Sequence, residues 1–333
     1  MTPTASAEPA ALRAMHLSKH YGTHVALDDL DVTVPRGEIV AFVGANGAGK
    51  STALRVILGL EHGGGRVLFS GHRYRDLENP LQEVGVAFDE LHAHPGHSAL
   101  QHLRIHAARG AFSPKLIAPL LDELGLLRSL HTTIRKFSLG MRQRLSLATG
   151  LLGAPRLLVL DEPFNGLDPL ARDWLRSHLR THADSGGAVL LSVHALDEVR
   201  DIVDTVLVLS HGTNKFTGTL DAFASTYAKE ALSVASPDRA RLVDALDRAG
   251  ASDIDLRNET LVVTGLSALQ VAEAALERRV LVTTLHATQT SLGNALVSAL
   301  HDDIALANTH AGAELTRSSE RTPKGHNATS TAR

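Results

Sequence analysis

The chain has 333 residues, of which 44% are hydrophobic and 21% are charged, so it can form two domains, or one large domain with an appendage. Its formal net charge of −3 does not indicate a general nucleic-acid-binding surface. It contains no cysteine, which excludes disulfides, thiolate metal sites and a cysteine nucleophile.

The amino terminus is predicted to be disordered over residues 1–12, which are rich in alanine, proline and threonine. It has neither the basic region nor the apolar region of a secretory signal. No apolar run in the chain reaches the length of a membrane span. These features favour a chain that is neither exported through a cleaved signal nor inserted in a bilayer.

The first predicted strand covers 25–34, where apolar residues partly alternate, and a Pro-Arg-Gly turn at 35–37 ends it. Tyr21 precedes this strand and is one of only three tyrosines. Its ring is suited to stacking on a purine base, but it also fits a half-buried aromatic of a strand. Spacing alone leaves both roles open.

A phosphate-binding loop follows. Residues 38–52 form a short apolar strand, a loop that matches G-x-x-x-x-G-K-[ST], and the start of a helix. In such a loop, backbone N–H groups face an anion, and the helix amino terminus adds to the positive field. Lys50 is expected to reach the β- and γ-phosphates, and the Ser51 hydroxyl to bind Mg²⁺. The residues predicted to bind nucleotide here are Gly44, Asn46, Gly47, Gly49, Lys50, Ser51 and Thr52.

Between this loop and the next motif, the apolar pattern predicts both strands and helices. The strands are predicted at 66–70 and 84–88. The helices are predicted at 51–60, 100–111, 116–127 and 138–152.

Two carboxylates end the next strand. Residues 156–163 contain four consecutive apolar residues, a pattern typical of a strand covered on both faces, followed by Asp161 and Glu162. Ligands collect at the carboxyl ends of strands in open α/β sheets. Asp161 is suited to the Mg²⁺ sphere, and Glu162 is suited to polarising the water that attacks the γ-phosphate.

A helix over 170–183 leads to a strand over 188–193, and a further strand is predicted over 205–210. His194 ends the first of these strands and is therefore expected to lie beside the γ-phosphate. A lone histidine at a strand end is also a common surface residue.

With Tyr21, 44–52, Asp161–Glu162 and His194 in this order, the chain resembles the nucleotide-binding subunits of ABC transporters. The segment 137–144 resembles their signature Leu-Ser-Gly-Gly-Gln. The resemblance covers residues 13–223 and implies an α/β P-loop NTPase fold with a helical subdomain at about 95–155. It also implies a head-to-tail dimer, in which Ser138 and Gly140 of one copy cap the γ-phosphate held by the other. Without the family, Ser138 is simply a good helix N-cap.

The chain departs from the family at two places. Leu139 and Met141 replace the usual glycine and glutamine of the signature. Asp89 stands where the family has a glutamine after the strand at 84–88; a carboxylate can also bind Mg²⁺, so its role is open. The segment 89–103 is similar to a drug- and bacitracin-exporter branch.

Two smaller features complete this part of the chain. The segment 165–168 resembles the family loop that carries signals between the two sites of the dimer. His92, His94 and His97 have a metal-like spacing, although a fourth ligand is missing.

The last third of the chain has a different pattern. Strands at 231–235, 253–257, 260–264 and 280–285 and helices at 238–249 and 268–278 give the order βαββαβ, which favours a small ferredoxin-like unit over 229–305. A further helix is predicted at 291–300, and 309–333 is predicted to be disordered. The unit is either a dimerisation or regulatory module or a passive appendage.

The motifs together predict an ATP-binding and ATP-hydrolysing subunit that uses Mg²⁺, pairs with a second copy and drives a separate membrane permease. The resemblance implies export of a drug, peptide or lipid-like substrate. The subunit itself is expected in the cytoplasm, held at the inner face of the cell membrane by the permease. In this scheme His194 steadies the γ-phosphate. The alternative is a soluble ABC ATPase acting on nucleic acid or ribosomes. That class usually carries two cassettes, a coiled coil or a basic arm, and the chain has one phosphate loop and no heptad run.

Overall fold

A computed structural model describes residues 9–227, 230–257 and 260–289, together with residues 292, 293, 295, 296 and 299. Residues 1–8 and the tail predicted over 309–333 lie outside this set, as does half of the helix predicted over 291–300. Ala11 and Leu12, at the end of the segment predicted to be disordered, are buried.

Within the described residues, the strands are β1 (Leu12–Tyr21), β2 (His24–Val34), β3 (Ile39–Val43), β4 (Gly64–Phe69), β5 (Val84–Ala87), β6 (Leu157–Asp161), β7 (Ala188–Val193), β8 (Thr205–Ser210), β9 (Thr213–Gly218), β10 (Glu230–Ala235), β11 (Asp253–Arg257), β12 (Thr260–Thr264) and β13 (Thr284–Gln289). The α-helices of the same residues are α1 (Lys50–Ile57), α2 (Pro80–Glu83), α3 (Ala99–Arg109), α4 (Ile117–Glu123), α5 (Leu139–Leu151), α6 (Pro169–Asp184), α7 (Leu220–Tyr227), α8 (Arg239–Arg248) and α9 (Ala268–Glu277).

A six-stranded sheet in the order β5-β6-β7-β3-β8-β9 forms the centre of the first two thirds of the chain. The first five strands in that order are parallel, and β9 is antiparallel to β8. Every residue of β3, β6 and β7 is buried because both sheet faces are covered. In β3, for example, Ile39, Ala41 and Val43 pack with the helices α3–α6, whereas Val40 and Phe42 pack with α1, β1 and β2.

A three-stranded antiparallel sheet in the order β2-β1-β4 covers one side of the central sheet. The apolar pattern of the sequence predicts no strand over β1, although Leu12, Ala14 and Leu17 are fully buried there. It also predicts none over β9, whose residues are only partly buried, so their apolar pattern is weak. The helix predicted over 116–127 is shorter in the structure, since Gly125 takes a φ of +67° just after α4.

The last third forms a four-stranded antiparallel sheet in the order β11-β12-β10-β13. This is the order 2-3-1-4 of a βαββαβ unit, so the predicted ferredoxin-like topology is confirmed. The predicted last strand at 280–285 is wrong by four residues, because the strand runs over Thr284–Gln289. Val280 is apolar for another reason: it is buried against α8 and α9, and its N–H donates to Ala275 O to close α9.

Among the described residues, none of the helices combines the length and the apolarity needed to cross a bilayer.

Candidate functional site

The phosphate loop joins the buried strand β3 to α1. Gly49 is required in this loop, because its φ is +105° and a Cβ there would lie 2.7 Å from Ala26 O. Gly44 has no room for a side chain either, since a Cβ would lie 2.4 Å from Leu209 O. Gly47, with a φ of +83°, has nothing within 4 Å of its Cβ position and faces open space. The loop therefore packs tightly on the protein side and stays open on the other.

Lys50 is the first residue of α1 and is 5% exposed. Its Nζ donates to Gly44 O at 2.7 Å and to Ala45 O at 3.2 Å, so the ammonium lies inside the loop. Burial lowers the pKa of Lys50, against the raising effect of the Glu162 and Asp161 carboxylates. An anion beside this ammonium would offset the cost of its burial, which fits a triphosphate site.

Asp161 accepts two hydroxyl hydrogen bonds on one oxygen. Ser51 Oγ donates to Asp161 Oδ1 at 3.1 Å, and Ser192 Oγ donates to the same oxygen at 2.6 Å. Asp161 is 5% exposed, and Ser192, on the neighbouring strand β7, is fully buried. The carboxylate and hydroxyl oxygens are the ligand types that Mg²⁺ prefers, so these residues fit that ion.

Three side-chain hydrogen bonds hold Glu162. Its N–H donates to Ser192 Oγ at 2.8 Å, and its carboxylate accepts a hydrogen bond from Asn165 Nδ2 at 2.6 Å. Its carbonyl accepts from Gln143 Nε2 at 3.4 Å. Its φ of +47° lies in the left-handed region, which costs energy in a residue other than glycine. The surroundings therefore fix both the backbone and the carboxylate of this residue.

A cavity of about 300 Å³ lies against the loop. It is lined by Tyr21, His24, Ala26, Asn46, Gly47, Gly49, Lys50, Ser51, Thr52 and Glu162. The structure thus brings together Tyr21, most of the predicted loop residues and Glu162. Asp161 lies behind the cavity, joined to it through Ser51.

His194, Asp89, Ser138 and Gly140 are not among the residues that line this cavity. The His194 side chain is 49% exposed, and its Nδ1 lies 4.0 Å from Glu198 Oε2. Asp89 is exposed just beyond β5, and its pKa is raised, first by partial desolvation and then by the Glu162, Asp161 and Glu90 carboxylates. A cation near Asp89 and these three carboxylates would relieve the repulsion among them.

The signature segment lies at the amino end of α5. Ser138 is the N-cap, and its Oγ accepts a hydrogen bond from Met141 N at 3.3 Å. Leu139 is 73% exposed, so this helix end faces outward. A Cβ on Gly140 would lie 2.7 Å from Gly166 O, and Arg144 Nη2 bonds Asp168 Oδ2 at 2.7 Å. The start of α5 is therefore tied to the loop 165–168 of its own chain.

The metal-like spacing of His92, His94 and His97 does not form a metal centre. The rings of His94 and His97 lie with their centroids 4.6 Å apart and are tilted by 38° to each other. In the part of the chain that the structure describes, no three His, Cys, Asp or Glu side chains are grouped to hold a metal. The Mg²⁺ position expected from the sequence differs, because it would use the hydroxyl of Ser51 together with phosphate oxygens.

Sequence reasoning missed Ser192, His24 and Asn165 as site residues. Ser192 has a detectable signal, since it is the one hydroxyl in the buried apolar strand β7 beside the carboxylates. His24 lines the cavity only because β1 and β2 pair Tyr21 with His24, which no local pattern indicates. Asn165 belongs to the loop that resembles the signalling loop of the family, but the sequence does not indicate its bond to Glu162.

The proteins similar to this chain are ATP-binding parts of ABC transporters. The profile of the family described as ABC transporter matches residues 27–165. The lantibiotic transport ATP-binding protein SrtF of Streptococcus pyogenes is 33% identical over 202 residues, which are 60% of this chain and 87% of that protein. The bacitracin transport ATP-binding protein BcrA of Bacillus licheniformis is 33% identical over 205 residues, covering 60% of this chain and 67% of that protein.

Solved structures lead to the same group. The structure described as the ATP binding subunit of an ABC transporter has a TM-score of 0.60 at 33% identity and covers 65% of this chain and 93% of that chain. A dimeric ATP-binding cassette in a post-hydrolysis state, bound to ADP and Pi, has a TM-score of 0.56 at 23% identity and covers 63% and 98% of the two chains. The predicted P-loop NTPase fold is thereby confirmed.

Proposed function

The chain belongs to the family of ABC transporter ATP-binding proteins, and we propose that its ATPase cycle drives a separate membrane permease that exports a drug, peptide or lipid-like substrate. It is an ATPase that binds and hydrolyses ATP, with Mg²⁺ as the partner ion. The observation that carries the proposal is the meeting of Lys50, the Ser51–Asp161 pair and Glu162 at one cavity. The similar transport proteins favour this function over a soluble ATPase acting on nucleic acid or ribosomes.

The phosphate end of the site is assigned to the loop and Lys50. When a triphosphate enters, the Lys50 ammonium exchanges its bonds with the carbonyls of Gly44 and Ala45 for bonds with phosphate oxygens. The N–H groups of the loop and the start of α1 add positive field on the same side. Ser51 and Asp161 would hold Mg²⁺, with Asp89 as a third candidate, and the ion would neutralise phosphate charge.

Glu162 is assigned the task of polarising the attacking water. Ser192 and Asn165 fix its backbone and its carboxylate, so it needs little rearrangement before the reaction. His194 is assigned to the γ-phosphate, since it follows β7 and its side chain is 49% exposed. Tyr21 supplies a stacking surface for the adenine base.

The second wall of the site is assigned to another copy of the chain, arranged head to tail. The support is geometric: the cavity is not lined by the chain's own Ser138 or Gly140, and the amino end of α5 is exposed. A helix amino terminus facing outward is suited to a phosphate held by a partner. We take residues 13–223 as the cassette, with its helical part at about 95–155, and 229–305 as an accessory unit.

The permease is the remaining partner. The similar proteins are named for transport, which supports a permease as partner. The permease would hold the subunit at the inner face of the cell membrane. Purification of the tagged full-length chain from its own cells tests this assignment. Recovery of an integral membrane protein supports the transporter, whereas recovery of ribosomes or nucleic acid instead would overturn it.

Glu162→Gln tests the chemistry. We expect the variant to lose most ATP turnover and to accumulate as an ATP-bound dimer, because the amide no longer polarises water while the binding residues remain. The measurements are phosphate release and mass by light scattering with ATP. Glu78→Gln, on an exposed turn, is the control and should behave as the unaltered chain. Unchanged turnover in Glu162→Gln would remove Glu162 from its assigned role.

A further inference from the structure

Tyr21 lies at the rim of the nucleotide cavity and is held in place by two side chains. Its hydroxyl donates a hydrogen bond to Glu61 Oε2. The ammonium of Lys19 lies over the ring, 4.7 Å from the centroid. Tyr21 is 46% exposed and lines the cavity, so an exposed aromatic is fixed where free rotation would otherwise be expected.

Glu61 is itself anchored. Lys19 Nζ lies 3.4 Å from Glu61 Oε2, and Arg55 Nη1 lies 3.9 Å from Glu61 Oε1. The Glu61 side chain is 24% exposed and that of Lys19 is 14% exposed, so these ion pairs are partly shielded from solvent. Lys19 Nζ also donates to His62 O at 2.8 Å. Lys19, Arg55 and Glu61 therefore form one network around Tyr21 rather than separate surface pairs.

The hydrogen bond between Tyr21 and Glu61 acts on both groups. It is the first cause of a raised pKa of the Tyr21 phenol and of a lowered pKa of the Glu61 carboxyl. Both shifts favour a neutral phenol that donates and an ionised carboxylate that accepts. Both groups are therefore in the protonation states that this bond requires at neutral pH.

The network leaves one face of the Tyr21 ring open and connects the ring to α1. Lys19 covers one ring face by a cation–π contact, which leaves the other face for a flat ligand. Glu61 follows α1, the helix whose first residues are Lys50 and Ser51. The same helix thus positions the phosphate end of the cavity at its start and, through Arg55 and Glu61, the tyrosine at its end.

We propose that Glu61 and Lys19 are positioning residues that pre-set the Tyr21 ring as the stacking surface for the adenine base of ATP. The inference rests on the proposed role of Tyr21 and adds two residues that no sequence motif indicates. A ring already fixed in its binding orientation loses less conformational freedom when the base arrives. Removing the anchor should therefore weaken binding of the base and leave binding of the phosphates unchanged.

The test compares ATP with inorganic tripolyphosphate, which has the phosphates but no base. Dissociation constants are measured by calorimetry on the full-length chain with Mg²⁺. Glu61→Ala and Tyr21→Phe should each weaken ATP binding about fivefold, the factor expected when one freed side chain must be ordered on binding, while tripolyphosphate binding stays within about twofold. The double variant should be no weaker than either single variant, because both remove the same bond. Glu61→Gln keeps an acceptor oxygen and should restore most of the affinity.

Glu83→Ala is the matched control. Glu83 is 22% exposed and pairs with Arg156 at 3.2 Å, so it resembles Glu61 in burial and charge but is not among the residues that line the cavity. It should leave the binding of both ligands unchanged. Lys19→Met, which keeps the apolar stem, should weaken ATP binding in the same selective way as Glu61→Ala.

Three results would overturn the inference. Equal weakening of ATP and tripolyphosphate by Glu61→Ala would mean that Glu61 only supports α1. Unchanged ATP binding in Glu61→Ala, beside a clear loss in Tyr21→Ala, would leave the stacking role intact and remove the anchor. Unchanged ATP binding in Tyr21→Ala would remove the proposed stacking role itself, and the anchor with it.

Discussion

Replacing Ser192 by alanine should damage both the stability and the activity of this protein. Its hydroxyl donates to Asp161 Oδ1 at 2.6 Å and accepts from Glu162 N at 2.8 Å, and Ser192 is fully buried. A hydrogen bond to a charged group contributes about 1.5–3 kcal/mol, and a buried N–H left without a partner costs about 1–3 kcal/mol. Because the two effects share one side chain, we expect the free energy of unfolding to fall by about 3 kcal/mol.

Ser146→Ala provides the matched comparison. Ser146 is also buried, and its hydroxyl donates to one uncharged acceptor, Phe88 O, at 2.8 Å. Its loss should cost about 1 kcal/mol, so the difference between the two variants should be about 2 kcal/mol. Urea unfolding followed by the fluorescence of Trp174 measures this, since Trp174 is the only tryptophan and lies on α6 of the cassette.

The rate of ATP hydrolysis is the second quantity to measure for Ser192→Ala. Without Ser192, Asp161 Oδ1 keeps only its bond from Ser51, and the Glu162 N–H loses its side-chain partner. ATP hydrolysis should therefore slow by about tenfold or more. Ser146→Ala should retain normal turnover. The reasoning is refuted if Ser192→Ala costs no more stability than Ser146→Ala and hydrolyses ATP at the normal rate.

The remaining predictions concern Asn165 and His102. Asn165→Ala removes the 2.6 Å bond to the Glu162 carboxylate, so kcat for ATP should fall about tenfold with little change in KM, measured by phosphate release. His102 is 5% exposed, and burial lowers its pKa to about 4. Since the unfolded chain binds the proton at about pH 6.5, the stability from His102 is present above that pH and is lost as the pH falls toward 4. The loss should reach about 3 kcal/mol and be absent in His102→Gln, measured by urea unfolding at pH 7 and pH 4.

Each of these has a contrary outcome. A rise in KM of Asn165→Ala with an unchanged kcat would mean that Asn165 contributes to binding and does not position Glu162. An equal acid dependence of unfolding in the unaltered chain and in His102→Gln would show that other groups carry it. His106 is the relevant neighbour, since its ring lies 4.7 Å from that of His102 and burial lowers its pKa as well.

The sequence predicts the parts of the site whose residues are contiguous. The loop around Lys50 and the pair Asp161–Glu162 each carry their chemistry within a few residues, and each follows a buried strand with a strong apolar pattern. Ser192 and Glu61 could not be assigned in this way, because each acts through partners 30 to 40 positions away in the chain. His194 illustrates a third limit, since the strand end fixes its backbone but the side chain turns toward Glu198.

The elements of the fold also divide into those with a clear local sequence pattern and those without one. The βαββαβ order predicts the ferredoxin-like sheet because most of its strands have an apolar pattern and each helix has its own cap, as with Ser267 at α9. The exception is β13, whose apolar pattern is weak and whose predicted position is wrong. Strand β9 escapes prediction because it is the edge strand beside β8 and is only partly buried. Where a strand is only partly buried, the apolar pattern that would reveal it is correspondingly weak.

The contacts around Glu162 explain why a site built from two copies could respond as a unit. The start of α5 is packed on Gly166 through Gly140 and bonded to Asp168 through Arg144. The same loop holds the Glu162 carboxylate through Asn165. A phosphate of a second copy that docks on the start of α5 would therefore push on a loop already bonded to Glu162. In the head-to-tail dimer proposed above, the position of the Glu162 carboxylate in one copy would thus depend on the nucleotide held by the other copy.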